Sequence, residues 1–467
     1  MNRKYMLIAG ACALMLTGCK SVKESLFAPY DRPDVNTRGI IRDNVSRSDT
    51  LVASADSITF GRLPWREVFT DTQLQILIQQ ALDNNVDMLN AALNVQMAET
   101  QLKAARLAFL PQFTFSPSGT IASWDFGPVS KTYQLPVAIS WNADLFGNLL
   151  SQKRSAQMQL LGVRDYQVVV QTNIIKGVAN MYYTLLMLDR QLEILGDMTG
   201  LTKDTWDLMK LQMSLGRARS TSVQSAEANY YSVQTQAVEM KRQVREVENA
   251  LSLLMGQPAQ AISRGKLANQ NLPSKFATGV GIQLLANRAD VHYAEMNLAK
   301  CFYGIETARS RFYPNLTITP TAAFTNSGGG AVVNPGKVLL SAVASLTQPI
   351  FMRGQLTAGL RVAEAQYEQA YNTWQNAVLK AGNEVSDALV LYNASDEKIQ
   401  LEQKQVETLE KNVEHTRMLF KSSGSTYFEV ISAQQALLNA QISLVSDQFY
   451  KMQAVVNLYN ALGGGGK

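Results

Sequence analysis

Histidine and cysteine are scarce in this chain, with two histidines and three cysteines among 467 residues. His292 and His415 lack the cysteine or carboxylate spacing of a zinc site. Charges of one sign are not clustered either: the net charge is +5 and the two signs are interspersed, which argues against a nucleic-acid-binding surface. The glycine run before Lys467 is not followed by a helix that could hold a phosphate, so we interpret 463–467 as a flexible tail. We therefore expect no catalytic residue and no enzyme.

The N-terminus has the pattern of an export signal. A basic head at 2–4 precedes an apolar run at 6–16 that is shorter than the roughly 20 residues of a spanning helix. Leu16-Thr-Gly-Cys19 resembles a bacterial lipobox, which implies a signal peptide of 1–18 and covalent diacylglycerol and N-acyl lipid on Cys19. The alternative is a plain secreted signal with a chance cysteine. We expect no other cofactor.

The remaining N-terminal residues form an extended, polar arm at 19–64. Lys20 is not the aspartate that retains lipoproteins in the inner membrane, so it favours sorting to the outer membrane. Cys301 is the one cysteine left after Cys12 departs with the signal and Cys19 is acylated. An intramolecular disulfide is therefore not expected, and Cys301 is interpreted as a small packing residue.

The chain contains an internal duplication. Several pairs of identical residues lie 203 positions apart, namely Asp87/Asp290, Arg106/Arg309, Pro111/Pro314 and Pro117/Pro320. Later pairs lie 207 apart, namely Gly147/Gly354, Val223/Val430, Ala226/Ala433 and Gly256/Gly463. A fixed spacing that changes only between the prolines and the first glycine indicates two copies of one unit. We assign repeat 1 to 65–256, a linker to 257–281 and repeat 2 to 282–462.

Each repeat has the pattern helix, strand pair, long helix, turn, long helix. The first helix is predicted to run from about Asp71 to Pro111, and strand pairs are predicted at 112–146 and 315–351. Apolar residues alternate with small or polar ones there, with Leu135, Val137 and Trp141 in repeat 1. The long helices carry small and apolar residues in steps of three and four, which is typical of coiled-coil seams; Glu384 is the one charge on the seam of the third of them.

The strand pairs have the alternation of a membrane-barrel wall, with one face for lipid and one for water. A soluble sheet half covered by helices would show the same alternation. The export signal, the aromatic residues at strand ends and the strand length favour the barrel. Four strands cannot close a barrel, so several copies are required. Two copies would give eight strands and a filled interior, and three would give twelve strands and a water-filled lumen.

Several motifs resemble TolC-type outer-membrane efflux channels, in particular the lipoprotein branch called outer membrane factors or the NodT family. They are the start Trp65-Arg-Glu-Val-Phe, the Asn287-Arg-Ala-Asp290 segment, and the end from Tyr427-Phe-Glu-Val-Ile to Val456-Asn-Leu-Tyr-Asn. The resemblance implies an α+β membrane protein: a homotrimer with a twelve-stranded outer-membrane barrel continued by a periplasmic helical barrel. It also implies a periplasmic adaptor (membrane fusion) protein and an inner-membrane pump of the resistance-nodulation-division type as partners.

The resemblance places the gate, or the adaptor docking site, at two helical tips near 216 and 424. The residues concerned are Gly216, Arg217, Arg219, Gly424, Ser425 and Thr426. Residues 422–426 carry no carboxylate and the first tip carries two arginines, so the acidic ring common in the family is not expected here and ion selectivity is not carried over.

Three other functions are compatible with parts of the pattern. The outer-membrane component of a type I protein secretion system would share the whole architecture. A periplasmic coiled-coil scaffold or adaptor would share the lipid anchor and the long helices, but would not need two-faced strand pairs. A soluble toxin that inserts its hairpins would have no need of a lipobox.

Overall fold

The computed structural model describes residues 27–34, 60–123, 125–272, 288–328, 331–422 and 425–466. The chain forms two compact units. In the described part, the first unit comprises 27–34, Leu93–Arg164 and Tyr293–Asn376, and the second comprises the rest. Among the helices described, none is both long and apolar enough to cross a membrane.

The first unit contains an antiparallel sheet. Its strands are β1 (Gln112–Phe115), β2 (Ser118–Ala122), β3 (Ser130–Ala143), β4 (Asn315–Gly328) and β5 (Ala331–Thr347). Both β1 and β2 pair with β3, β3 pairs with β4, and β4 pairs with β5. The two predicted strand pairs therefore lie side by side, with the first outer strand interrupted at Ser116 and Pro117, because proline cannot donate to a ladder.

Eight α-helices are described, and the longest ones run through both units. They are α1 (Trp65–Val68), α2 (Thr72–Asn84), α3 (Val86–Leu107), α4 (Asn148–Ser214), α5 (Ser220–Leu254), α6 (Ala289–Ser310), α7 (Gln355–Lys421) and α8 (Tyr427–Ala461). In the second unit, apolar side chains of α2, α4, α5, α7 and α8 share one core, with Tyr182, Leu251 and Val455 among its most buried members. A short 3₁₀ turn, Leu267–Asn269, lies in the predicted linker.

The lengths of the helices confirm the duplication. Helices α3 and α6 each have 22 residues, α4 and α7 each have 67, and α5 and α8 each have 35. At 1.5 Å per residue, a helix as long as α4 extends about 100 Å. The repeats differ in the strand region, which is where the sequence offset changes from 203 to 207.

The helix predicted to run unbroken from Asp71 to Pro111 is interrupted at Asn85. The Asn85 side chain accepts hydrogen bonds from the backbone N–H groups of Asp87 and Met88 at 2.8 and 3.2 Å, which caps α3. Its amide nitrogen also donates to the Leu254 carbonyl oxygen at 2.9 Å. Asn85 thereby ends one helix, starts the next and binds the end of α5.

The prediction of a flexible tail is wrong for Gly463–Gly466. Gly464 and Gly465 are buried, and a Cβ added to Gly464 would overlap the ring of Tyr459. Gly463 and Gly465 have φ values of +82° and +90°, which glycine adopts at no steric cost. The Gln171 side chain donates to the Gly465 carbonyl oxygen at 2.9 Å. The glycines therefore form a packed turn after α8.

Candidate functional site

The sheet has one apolar and one polar face. Directly paired residues of neighbouring strands point to the same side of a sheet. The register pairs Leu135 with Phe324, Val137 with Ala322 and Trp141 with Ile318, and carries this row on to Leu340 and Leu346 in β5. The alternate row is mostly polar and contains Gln134, Asn142, Thr317, Thr321, Thr325, Ser341 and Ser345, with Leu339 and Val343 among them in β5. The apolar and polar rows of the two predicted strand pairs thus continue across the β3–β4 pairing as one amphipathic sheet.

The apolar face is exposed to the surroundings of the chain. Phe113, Phe324, Leu340 and Leu346 are all largely exposed there. Trp141 lies towards the end of β3, and its indole N–H donates to the Phe109 carbonyl oxygen at 3.0 Å. On the polar face the Thr317 hydroxyl donates to the Asn142 side-chain oxygen at 2.8 Å. Such a sheet suits a wall with hydrocarbon on one side and water on the other.

Both outer strands of this sheet have an open edge in the described chain. β5 pairs on one side with β4, and β1 and β2 pair on one side with β3. Unpaired backbone groups at a sheet edge cost several kcal/mol each in hydrocarbon. The sheet therefore requires further strands before it can lie in a membrane.

The first helical tip closes with a glycine turn. Gly216 has φ +71°, its N–H donates to the Met213 carbonyl oxygen at 3.0 Å, and the Arg217 N–H donates to the Gln212 carbonyl oxygen at 2.8 Å. These two bonds form a Schellman motif at the end of α4. Arg219 then occupies the N-cap of α5 without a side-chain capping bond. Both arginines are exposed, so this tip presents positive charge.

The second tip is capped differently. Thr426 Oγ1 accepts from the Glu429 N–H at 3.4 Å, and the Glu429 carboxylate accepts from the Thr426 N–H at 2.8 Å, which forms a capping box. The Ser425 hydroxyl donates to the same carboxylate at 2.6 Å, and these bonds lower the pKa of Glu429. Residues 422–426 carry no carboxylate of their own, but the tip is not without one. The side chain of Glu429 folds back onto it and binds Ser425 and Thr426.

The two tips share a small apolar cluster. Met209, Val223, Ala226, Phe420 and Val430 are buried together, with Trp206 and Tyr427 packed at the margin. Burial of Phe420 against both returning helices joins the ends of the two hairpins within one chain.

Arg288, in the Asn287-Arg-Ala-Asp290 segment that resembles an efflux-channel motif, forms a buried network. Its guanidinium donates to Asp290 at 2.9 and 2.6 Å, to Glu384 Oε2 at 2.7 Å and to the Ala461 carbonyl oxygen at 3.2 Å. The bond to Arg288 explains why a charged residue, Glu384, can lie on the otherwise uncharged seam of α7. Arg288 and Asp290, on either side of Ala289, contact each other directly.

The described part of the linker is fixed to repeat 1. Arg264 donates to both carboxylate oxygens of Asp189, at 2.5 and 2.9 Å, and to Glu248 at 2.6 Å. Gln270 donates to Asp71 Oδ2 at 2.7 Å, and the Tyr182 hydroxyl donates to the same oxygen at 2.6 Å. The described part of the linker, 257–272, thus lies against the helices of the first repeat.

Two predicted site residues lie outside the described part of the chain. They are Cys19, with the signal peptide, and Gly424.

Cys301 is a free, half-buried thiol whose pKa is raised by burial. His292 Nδ1 lies 2.6 Å from Asp165 Oδ2. Within the described residues, no cluster of three or more His, Cys, Asp or Glu side chains could hold a metal ion.

Paired long helices joined to an amphipathic sheet with two open edges define a subunit of a membrane channel. Residues 77–257 and 281–464 match the sequence profile described as outer membrane efflux protein. The two matched segments correspond to the two repeats. The chain belongs to the outer membrane efflux protein family.

Known relatives extend over nearly the whole chain. It is 26% identical over 467 residues to the cation efflux system protein CusC of Escherichia coli (strain K12), covering 98% of this chain and 99% of the relative. It is 28% identical over 411 residues to the toluene efflux pump outer membrane protein TtgI of Pseudomonas putida, covering 86% and 87%. The probable outer membrane lipoprotein SilC of Salmonella typhimurium is 24% identical over 465 residues, covering 99% of both.

Solved structures share the fold. A crystal structure of CusC superposes with a TM-score of 0.83 at 24% identity and covers 94% of this chain and 99% of that one. The open state of the MtrE outer membrane channel of Neisseria gonorrhoeae superposes with a TM-score of 0.82 at 23% identity, covering 94% and 98%. The predicted fold class, the outer-membrane location and the role as an efflux channel are confirmed.

Proposed function

We propose that three copies of this chain close one barrel and form the outer-membrane exit duct of a tripartite efflux system. Small molecules or metal ions would cross the duct passively. The energy for transport would be supplied by an inner-membrane pump of the resistance-nodulation-division type, joined to the duct by a periplasmic adaptor. The chain itself would contribute a solvated path and a gate.

The observation that carries this proposal is the amphipathic sheet with two open edges. Strand directions alternate from β1 to β3, β4 and β5, so β5 of one copy runs antiparallel to β1 of the next and can pair with it. If β1 and β2 are counted as one interrupted strand, each copy supplies four strands. Three copies supply twelve, which is enough for a water-filled lumen, whereas eight strands from two copies leave a filled interior.

The polar face supports a lumen for hydrated solutes. Threonine, serine, asparagine and glutamine dominate it, and the charged Lys131, towards the start of β3, falls in the other row, in alternation with Leu135 and Trp141. Neutral hydrogen-bonding groups line a path without binding a particular ion tightly. The relatives are described for cations in one case and for toluene in another, which agrees with a duct whose selectivity lies in the pump.

We also propose that Cys19 carries the lipid anchor. The Leu-Thr-Gly-Cys motif supports this assignment, as does the likeness to SilC. Mass spectrometry of the mature N-terminus tests it: a diacylglycerol thioether and an N-acyl chain on Cys19 are expected. A mature chain that begins at another residue, or that carries an unmodified Cys19, would refute it.

Conductance across planar lipid bilayers tests the proposed duct. The purified protein should insert as a defined oligomer and give discrete current steps. A deletion strain should become more sensitive to drugs, solvents or metal salts in a susceptibility panel, and the gene supplied in trans should restore resistance. No current from correctly inserted protein, together with unchanged sensitivity, would exclude the exit-duct function.

A further inference from the structure

A buried carboxylate lies in the contact between α7 and α8. Asp447 on α8 is 3% exposed, and the ammonium group of Lys398 on α7 donates to its two oxygens at 2.7 and 2.5 Å. This ion pair joins the two helices of the second hairpin. A buried charge is stable only when it is paired. The lysine balances one carboxylate, so a second negative charge beside Asp447 would not be neutralised.

Glu402 on α7 brings a second carboxyl group to the same place. It lies four residues after Lys398, and its side chain is within hydrogen-bond reach of Asp447. Its Oε2 atom is buried, and no donor in the described part of the chain binds it. Two ionised carboxylates offer acceptors alone, so a hydrogen bond between them requires a proton on one of them. The contact therefore has the geometry of a carboxylic acid facing a carboxylate.

The surroundings favour a proton on Glu402. Burial raises the pKa of Glu402, the hydrogen bond and charge of Asp447 raise it further, and the charge of Lys398 opposes them. Tyr450 on α8 is a further titratable group, which acts on Lys398. Gln191 of α4, which donates to the α8 serine before Asp447 at 3.2 Å, brings no charge. Asp447 and Lys398 are thus the charges that act on Glu402 among the described residues.

The equivalent place in the first hairpin is built from uncharged side chains. With the offset of 207, the residues that correspond to Lys398, Glu402 and Asp447 are Gln191, Leu195 and Met240. Leu195 is 1% exposed, and Met240 packs against the same core. A helical hairpin of this length therefore forms without the charges, and apolar residues can replace a buried ion pair at no loss of stability. This contrast indicates a role for the charged group beyond packing.

We propose that Glu402 and Asp447 share one proton, which holds α7 against α8 in acid and leaves as the pH rises, so that the second hairpin loosens and the first does not. A carboxyl group that binds its proton more tightly in the folded state stabilises that state below the unfolded pKa, about 4 for glutamate. This contribution is lost as the pH rises through the folded pKa, because two carboxylates then face each other with one lysine to balance them. The proposal depends neither on the number of copies nor on conduction.

Glu402→Gln separates the proton from the packing. The glutamine amide can donate to Asp447 at any pH, as the protonated glutamate does, and it does not ionise. Amide hydrogen exchange of the full-length protein in mild detergent is followed by mass spectrometry at about pH 5 and about pH 8, with labelling times scaled to the intrinsic exchange rate. At the higher pH, we expect peptides covering 396–402 and 443–451 to exchange several-fold faster in the unmodified protein than in the variant. At the lower pH, they should exchange equally.

Two further variants serve as controls, and each is compared with the unmodified protein at the same pH so that other titrating groups cancel. Glu407→Gln removes an exposed carboxylate from α7 and should exchange like the unmodified protein at both pH values. The combination of Lys398→Gln, Glu402→Leu and Asp447→Met transfers the residues of the first repeat to the second hairpin and should abolish its pH dependence.

The first hairpin supplies an internal reference. Peptides covering 189–195 and 236–244 should keep the same scaled exchange at both pH values in the unmodified protein and in Glu402→Gln. Equal exchange of these two proteins in the second hairpin at the higher pH would overturn the proposal. Loosening of both hairpins together would overturn it as well, since the proton would then not act at the α7–α8 contact.

Discussion

Arg288 Nη2 donates a hydrogen bond to Glu384 Oε2 at 2.7 Å, although 96 residues separate the two in the chain. Arg288 directly precedes α6, and Glu384 lies on α7. Because the same guanidinium binds the Ala461 carbonyl oxygen, it joins the beginning of α6 to two long helices of repeat 2. A single buried cation thus fixes the start of the second repeat.

Loss of the Glu384 carboxylate should weaken this joint. We expect Glu384→Ala to reduce the free energy of unfolding by about 1–2 kcal/mol, since a hydrogen bond to a charged group contributes more than a neutral one but a third of this side chain is exposed. Denaturation of the detergent-solubilised protein, followed by tryptophan fluorescence, measures the change. Glu364→Ala, an exposed position on the same helix, should have little effect. Equal stability of both variants would show that the bond contributes nothing.

Acid should destabilise the helical region through Asp71 and Asp290. Burial alone would raise the pKa of each carboxyl, but hydrogen bonds outweigh it and lower both values: Tyr182 and Gln270 donate to Asp71, and Arg288 donates to Asp290. A lowered pKa stabilises the folded state above the unfolded value near 4, and this contribution is lost as pH falls through the folded pKa. The urea midpoint should therefore fall steeply below about pH 4.

Asp71→Asn isolates one part of this pH dependence. Asparagine also caps helices, so α2 should persist, but the carboxylate that accepts from Tyr182 is lost. We expect a lower midpoint at neutral pH and a smaller fall in acid than in the unmodified protein. A variant with the same slope against pH as the unmodified protein would remove Asp71 from the explanation.

Neighbouring residues of β4 should respond differently to a charge, because they lie on opposite faces. Ala322→Arg places a cation on the apolar face, which costs about 2–4 kcal/mol at the middle of a bilayer, and should reduce the assembled protein in the outer membrane. Thr321→Arg places it on the polar face and should allow assembly but change conductance and ion preference. Heat-modifiable mobility on gels and bilayer recordings distinguish the two. Equal assembly of both variants would contradict the assignment of faces.

The positive charge of the first tip should hold the closed state or dock the adaptor. Joint replacement of Arg217 and Arg219 by alanine should raise single-channel conductance or reduce drug resistance. Lys241→Ala, an exposed cation on α5 away from the tip, is the matched control. Conductance and resistance both equal to those of the unmodified protein would exclude this role for the arginines.

Glu429 should act at the second tip through its capping box. Glu429→Ala removes both the helix cap and the charge, whereas Glu429→Gln removes the charge and retains an acceptor for the Thr426 N–H. We expect the alanine variant alone to increase proteolytic nicking near 425, because an uncapped first turn frays. Equal nicking of the two variants would show that the cap does not order this tip.

Features with a short-range signal could be predicted from the sequence. Prolines and glycines mark the ends of helices and turns, and periods of two and of three to four distinguish strands from coiled-coil helices. The alternation in β3 and β4 gives each strand its two faces, but it could not give the register that pairs Leu135 with Phe324, because that depends on a partner 189 residues away. The gate residues at the tips stay a prediction.

The sequence analysis missed features that depend on distant partners. It also missed local capping motifs that lie within a longer helical pattern. Asn85 lies in an otherwise helical run, and the signal that it interrupts the helix is its ability to cap the next one. The glycines after α8 have the composition of a flexible tail, but Tyr459 and Gln171 hold them in place. The capping box of the second tip has its own signal in the spacing of Thr426 and Glu429, but its carboxylate lies beyond 422–426 in the sequence.

The number of chains in the membrane-extracted particle tests the central claim most directly. In the described part of the chain, the sheet has four membrane strands, with β1 and β2 counted as one, and two open edges, so it cannot form a tube unless identical neighbours complete it. Native mass spectrometry in a mild detergent should give three times the mass of the mature chain. A particle of one chain that still conducts ions would contradict the account.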